Sequence, residues 1–298
     1  MFSISKRAFT RLALTAALGL SSSLIAGTGV QAEEIAKVPE VADLLPQSVK
    51  DAGVLRVAMP DTGRPLAYKD GDELKGMDPA LANALAAVLG LKPQLELIPF
   101  ASALTGLQAN KFDVSYGEFY VTAKRLEVAD FVTNWEDFSS FLVVAAKDFK
   151  PAAITDICEH IVGAMAGSAE LEILSSQSKN CGDKAPTVSA FPSVNTAVLA
   201  LNSGRVDAVL IGRGAAEDSI MLDSSLAASG EIGGGPTATA VARNENSGKM
   251  LTAIQAAYNH LIKSGDYMKI LDANGTAYGA AKSAEIYTKD STPPKYGF

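Results

Sequence analysis

An α/β fold of two lobes, each a sheet flanked by helices and the pair joined by two hinge crossings, is predicted by three features of the sequence. Strand-like and helix-like segments alternate between residues 51 and 116, the pattern of an α/β sheet. The same alternation returns between residues 160 and 211. A short motif also recurs: Leu107-Gln108-Ala109-Asn110-Lys111-Phe112-Asp113 in the first half is echoed by Leu201-Asn202-Ser203-Gly204-Arg205-Val206-Asp207 in the second.

Before the fold begins, the chain reads as an export signal. Lys6, Arg7 and Arg11 make a basic start, an apolar run follows from residue 12 to about 26, and Val30-Gln31-Ala32 offers the small residues a signal peptidase reads. Gly19 and Ser21-Ser22-Ser23 interrupt the run, which falls short of the ~20 apolar residues a membrane-spanning helix needs. The expectation is cleavage after residue 32 and a free periplasmic protein, because no Cys follows the apolar run. Residues 33–52 form a polar leader with a short amphipathic piece at 41–45.

Val54-Leu55-Arg56-Val57-Ala58-Met59 is the first predicted strand. Asp78-Pro79 starts a helix, with Asp78 as cap and Pro79 preset for the first turn, and Gly90 stops it. Residues 95–100 make a second strand, 102–110 a short helix and 112–116 a third strand. In the second half the strands fall at 161–165, 187–191 and 206–211. Helices lie between them at 168–178 and at 193–202, the latter capped by Ser193. Two extended apolar runs, 141–146 and 237–242, would be the crossings. The lobes are then 53–145 with a return segment at 239–290, and 146–238. Residues 247–263 form a long amphipathic helix, and the tail at 291–298 is expected to be loose or draped over the surface.

Removing residues 1–32 takes away three basic charges and moves the formal net charge from −7 to −10. That balance argues against nucleic acid and anionic membranes as partners and suits a soluble monomer. Cys158 and Cys181 would meet an oxidising compartment after export, where a disulfide persists; unrelated buried thiols are the alternative. Closing the loop between them would contribute roughly 3 kcal/mol. With only His160 and His260 and no ligand spacing, a metal is not expected, and no phosphate loop or nucleophile elbow suggests a cofactor or covalent chemistry.

Several segments resemble, in order, the family 3 extracellular solute-binding proteins, which include amino-acid receptors of ABC importers. They are Val54-Leu55-Arg56-Val57, Gly76-Met77-Asp78, Asp113 with Val121-Thr122-Ala123-Lys124-Arg125 and Ala129-Asp130-Phe131, Gly167-Ser168-Ala169, and Ser203-Gly204-Arg205-Val206-Asp207-Ala208. The resemblance runs from residue 54 to about 287. It implies a receptor that closes on a small carboxylate-bearing ligand and passes it to a permease, and the cysteine pair is similar to a bridge found in some members.

On spacing alone, Thr122 can cap a short helix and Arg125, one turn in, can present a planar fork to a carboxylate; a surface pair with Glu127 or Asp130 is the alternative. The resemblance gives Arg125 the ligand's α-carboxylate and puts Gly117, Glu118 and Tyr120 beside it. Glu118 departs from the small or hydroxyl residues usual there and would favour a cationic ligand group, unless it is an exposed charge at a strand end. Ser168 would complete the grip from the second lobe or would simply cap its helix. Tyr68 and Trp135 are expected to offer aromatic faces. The acid that often follows the Asp-Ala motif by five residues is missing: Gly212 stands there, so Glu118 or Glu217 would have to replace it, or the ligand is not a standard α-amino acid. The competing reading is a periplasmic enzyme on the same scaffold, similar to the cyclohexadienyl dehydratases, with Glu118 as a general acid.

Overall fold

The computed structural model describes residues 35–298; the expected export signal and the first two leader residues lie outside the described residues. Order starts earlier than the leader reading allows. Pro39–Ala42 (α1) and Gln47–Ala52 (α2) are short helices, and Val41, Ala42 and Leu45 are buried. Burying an aliphatic side chain contributes roughly 1.5–3 kcal/mol, enough to pin an otherwise polar segment. The Val38 N–H also donates to Val88 O at 3.0 Å.

Val54–Pro60 (β1) is followed by a small hairpin, Tyr68–Asp70 (β2) with Glu73–Lys75 (β3), and by the helix Met77–Leu89 (α3). Then come Lys92–Ile98 (β4), Ala103–Gln108 (α4), Val114–Tyr120 (β5), Ala123–Leu126 (α5) and the long strand Asp130–Val144 (β6). The second half holds Ile161–Met165 (β7), Ala169–Ser178 (α6), Thr187–Phe191 (β8), Val194–Asn202 (α7), Ala208–Gly212 (β9), Arg213–Leu222 (α8) and Leu226–Ser229 (β10). Gly234–Val241 (β11), Ser247–Ser264 (α9), Asp266–Ala273 (α10) and Ile286–Tyr287 (β12) complete the chain.

The strands run in the order β4-β1-β5-β11-β6-β9-β7-β8, with β10 and β12 also paired to β6. Within each lobe β1 is parallel to β4 and β5, and β7 is parallel to β8 and β9. The strands near the crossing are antiparallel, so the sheet is mixed. β6 does the joining. Its residues 130–138 pair with β11, and residues 139–143 pair with β9. The partner therefore changes between Phe138 and Ser139. The apolar run that follows, Phe141-Leu142-Val143, lies beyond that point and is buried. The return crossing precedes β11, and Ile232 N–H and Ser139 N–H bond across it to Ser139 O and Gly233 O.

Each lobe has a core of its own, and a third cluster joins Phe100, Phe119 and Leu126 of the first lobe to Met165, Val194 and Ile211 of the second. α3 and α9 cover the first with Leu81, Leu85, Ile254 and Tyr258; Val162, Leu174 and Leu210 sit with Phe141 in the second. α9 stops at Gly265 in the left-handed conformation, as its sequence predicts. Cys158 and Cys181 are joined by a disulfide, with Cα atoms 5.6 Å apart. The tail is draped and held at both backbone and side chain: Tyr296 O accepts from Gly234 N–H, and the Tyr296 hydroxyl accepts from Val121 N–H at 2.7 Å and donates to Pro236 O. Among the described residues, no helix is long and apolar enough to cross a membrane.

Candidate ligand-binding site

The strand ends of both lobes surround a cavity that opens to solvent. The first lobe contributes Gly117, Glu118 and Tyr120 from β5, Arg125 from α5 and Asp137 from β6. The second contributes Ser168 and Glu170 from the start of α6 and Gly212 from the end of β9. The guanidinium and the hydroxyl-tipped helix expected on opposite lobes thus line one cavity.

The lobes touch around it. Arg125 Nη2 donates to Gly167 O at 3.2 Å and Lys124 pairs with Glu172 at 3.1 Å. The Arg213 guanidinium also lies over the Tyr278 ring at 4.5 Å.

Arg125 is set by local sequence. Thr122 caps the single turn of α5 by accepting from Arg125 N–H at 3.2 Å, and the side chain turns inward to donate from Nη1 to Tyr120 O at 2.8 Å. It is 8% exposed, and among the described residues it has no ion-pair partner; Asp130, the alternative partner, pairs with Arg243 instead. Burial pulls the guanidinium below its ordinary value, while nearby Glu170 and Glu172 act the other way. A buried cation held by two carbonyls, the Phe100 and Phe119 rings and acids that do not pair with it is poised to take a carboxylate.

Glu118 is not an exposed strand-end charge. β5 continues past residue 116 to Tyr120, which sets Glu118 half-buried in the cavity wall at φ 48°, a conformation that costs a non-glycine residue about 1–3 kcal/mol and is common at functional sites. Its neighbour Gly117 has φ 122°, and an added Cβ would lie 3.0 Å from Pro60 Cγ and 3.3 Å from Phe100 Cε2, so only glycine fits. Glu118 faces Asp78, which is not the expected helix cap: Gly76 takes that place and Asp78 turns inward from the first turn of α3. Among the described residues no cationic side chain pairs with either carboxyl. Two such carboxyls in contact must share a proton. Burial first, then Asp78, push Glu118 well above the carboxylate range, and burial pushes Asp78 up to about 7.

Tyr120 forms a wall. Its ring meets Tyr296 and Phe298 edge-on, with centroids 4.7 and 5.3 Å away, and its hydroxyl lies 3.4 Å from Ser139 Oγ. Ser168 accepts from Leu171 N–H at 3.1 Å, so it caps α6; its own hydroxyl proton remains available, and the cap does not exclude a ligand contact.

Two expected aromatics stand elsewhere. Trp135 is wholly buried in the first-lobe core, where Nε1 donates to Thr276 O at 2.9 Å and the ring packs on Tyr278. Strand alternation puts it on the same face as Asp137, but one step short of the cavity. Tyr68 does not line the cavity, and the Arg64 guanidinium lies 4.1 Å from its ring centroid. Glu217 pairs with Arg213 at 2.6 Å and also lies outside the cavity.

Asp137 and Glu170 were not anticipated. Asp137 is 4% exposed and pushed up to about 8 by burial, with Glu170 adding to the effect and Tyr278 opposing it. The available signal was an acid in phase with Trp135 two residues before it on β6. Glu170 accepts from Ser139 Oγ at 2.9 Å in the first turn of α6, where a helix dipole favours an acid.

The sequence profile of the bacterial extracellular solute-binding proteins, family 3, matches residues 55–276. The arginine-binding protein ArgT of Corynebacterium glutamicum is 27% identical over 264 residues, covering 84% of this chain and 83% of ArgT. An ancestral arginine-binding protein bound to arginine is 28% identical with a TM-score of 0.69, covering 74% of this chain and 98% of that one. The similar chain of an ancestral arginine-binding protein bound to glutamine is also 28% identical, with a TM-score of 0.68 over 75% of this chain and 98% of its own.

Proposed function

The chain belongs to the bacterial extracellular solute-binding proteins of family 3, and from that premise we propose that it is a periplasmic receptor for a basic L-amino acid, arginine above all, which it delivers to an ABC transporter permease. The observation that carries the reading is the buried Arg125 guanidinium, without an ion-pair partner among the described residues, at a cavity walled by both lobes. A carboxylate there gains charge-assisted hydrogen bonds from one lobe and the Ser168 hydroxyl from the other, so ligand binding favours the closed state.

Three acids, Glu118, Asp137 and Glu170, share the cavity with this one cation. A ligand cation can draw the proton from an acid held above its ordinary range, so this set of acids supports a ligand with more positive than negative charge. The relatives named above bind arginine and, in one structure, glutamine. Arg125 takes the carboxylate in this account, while Glu118, above the shared proton with Asp78, and Glu170 are left to face a side-chain cation.

Residues 1–32 direct export and are removed, and the mature chain works as a monomer. No bond is made or broken in this role. A thermal-shift screen of the twenty L-amino acids tests it. Arginine and lysine are expected to give the largest rises in melting temperature; a flat response to every amino acid would overturn the proposal.

A further inference from the structure

We propose that Asp137, on the strand that crosses between the lobes, is the residue that takes the amino group of the ligand; this rests on the receptor reading above and deepens it. Asp137 lines the cavity that Arg125 and Ser168 line. It lies just before the point where β6 leaves β11 for β9, paired with Gly235 of β11, while Ser139 two residues on pairs with Gly212 of β9.

The close approach to Gly212 gives the assignment its geometry. A Cβ added at Gly212 would lie 2.3 Å from Asp137 Oδ2. The carboxylate therefore fills the space into which any side chain at 212 would project. With position 212 bare, a carboxylate from the neighbouring strand takes that place at the cavity wall.

The surroundings of Asp137 contain donors but no cation. The Tyr278 hydroxyl donates to Oδ1 at 3.3 Å, and the backbone N–H groups of Phe138 and Arg213 also support the carboxylate. Among the described residues no cationic side chain pairs with it. Burial and the like charge of Glu170 hold its proton more tightly than an ordinary Asp does. An ammonium group reverses that balance: it pairs with the ionised carboxylate, and the displaced proton leaves to solvent. The other acids are committed differently. Glu217 is paired with Arg213, Glu118 shares a proton with Asp78, and Glu170 accepts from Ser139. Asp137 is a buried, strand-held carboxylate that can face an amine while Arg125 faces the acid on the same carbon.

The test uses isothermal titration of the full mature chain with L-arginine and with 5-guanidinopentanoic acid, the same molecule without its amino group. Wild-type protein is expected to prefer arginine by at least about 100-fold, the scale of one or two charge-assisted hydrogen bonds. Asp137→Asn should lose most of that preference while binding 5-guanidinopentanoic acid as wild type does, which also shows that the variant is folded. The exchange variant Asp137→Gly/Gly212→Asp moves the carboxylate to the facing strand and should recover at least about tenfold of the preference. An undiminished preference in Asp137→Asn overturns the assignment alone. Wild-type protein that binds neither compound, nor L-glutamine, overturns the receptor reading beneath it.

Discussion

Replacing Arg125 with Met keeps the length and apolar stem of the side chain and removes its fork. In the free protein two backbone carbonyls, Tyr120 O and Gly167 O, lose their donors. Each loss costs about 1–3 kcal/mol if the carbonyl stays dry, but the change also relieves a desolvated cation without an ion pair, which offsets part of it. The expected net change in unfolding free energy is therefore small, within about 2 kcal/mol. Binding is different. A carboxylate loses two charge-assisted hydrogen bonds at about 1.5–3 kcal/mol each, so affinity should fall by roughly 10²- to 10⁴-fold. In a thermal-shift assay at 100 times the wild-type Kd, wild type gains about 2.7 kcal/mol from arginine and the variant gains almost nothing. The comparison needs only melting curves with and without ligand for each protein. Undiminished ligand stabilisation in Arg125→Met would refute the carboxylate role outright.

Three other outcomes are expected. Glu118→Gln should weaken arginine or lysine at least tenfold more than glutamine, because Gln keeps the shape but cannot give up the shared proton and ionise against a ligand cation; equal losses by titration calorimetry would show that Glu118 does not read charge. Asp78 and Asp137 hold protons more tightly folded, at about 7 and about 8, than unfolded near 3.8. The folded state thus carries extra protons from pH ~4 upward, and the stability these groups contribute is complete below that and lost as pH rises through 7 to 8. Urea midpoints should fall between pH 5 and 8.5 and fall less in Asp78→Asn; an equal fall in the variant would remove Asp78 from the account. Tyr296→Phe should destabilise the protein by about 1–3 kcal/mol in urea, because Val121 N–H and Pro236 O lose their partner next to both crossings, and an unchanged midpoint would show that the tail does not fasten them.

Where local chemistry decided the structure, the sequence was legible. Ser168, Ser193 and Thr122 cap the helices they were expected to cap, since a hydroxyl before an apolar run satisfies a free N–H whatever the tertiary setting. Arg125 was findable for the same reason: its place one turn beyond Thr122 fixes where its side chain starts. Asp78 misled because capping chemistry and a buried carboxyl pair begin from the same residue type, and only the tertiary approach of β5 distinguishes them. Trp135 misled because an aromatic near a suspected site can serve core or cavity, and the contact with Tyr278 that decides the matter spans more than 140 residues. Asp137 escaped notice because its importance comes from Gly212, on a strand 75 residues away that no local pattern connects to it. The leader was undervalued because the burial of Val41 and Leu45 depends on α3 and α9, which the segment itself does not reveal.

A receptor of this kind requires an acid group to meet the guanidinium of Arg125. Titrating the wild-type protein with L-arginine and with agmatine, which is arginine without its carboxylate, asks that question with no change to the protein. Saturable arginine binding at least about 100-fold tighter than agmatine is the predicted result. Agmatine binding as tightly as arginine would contradict it.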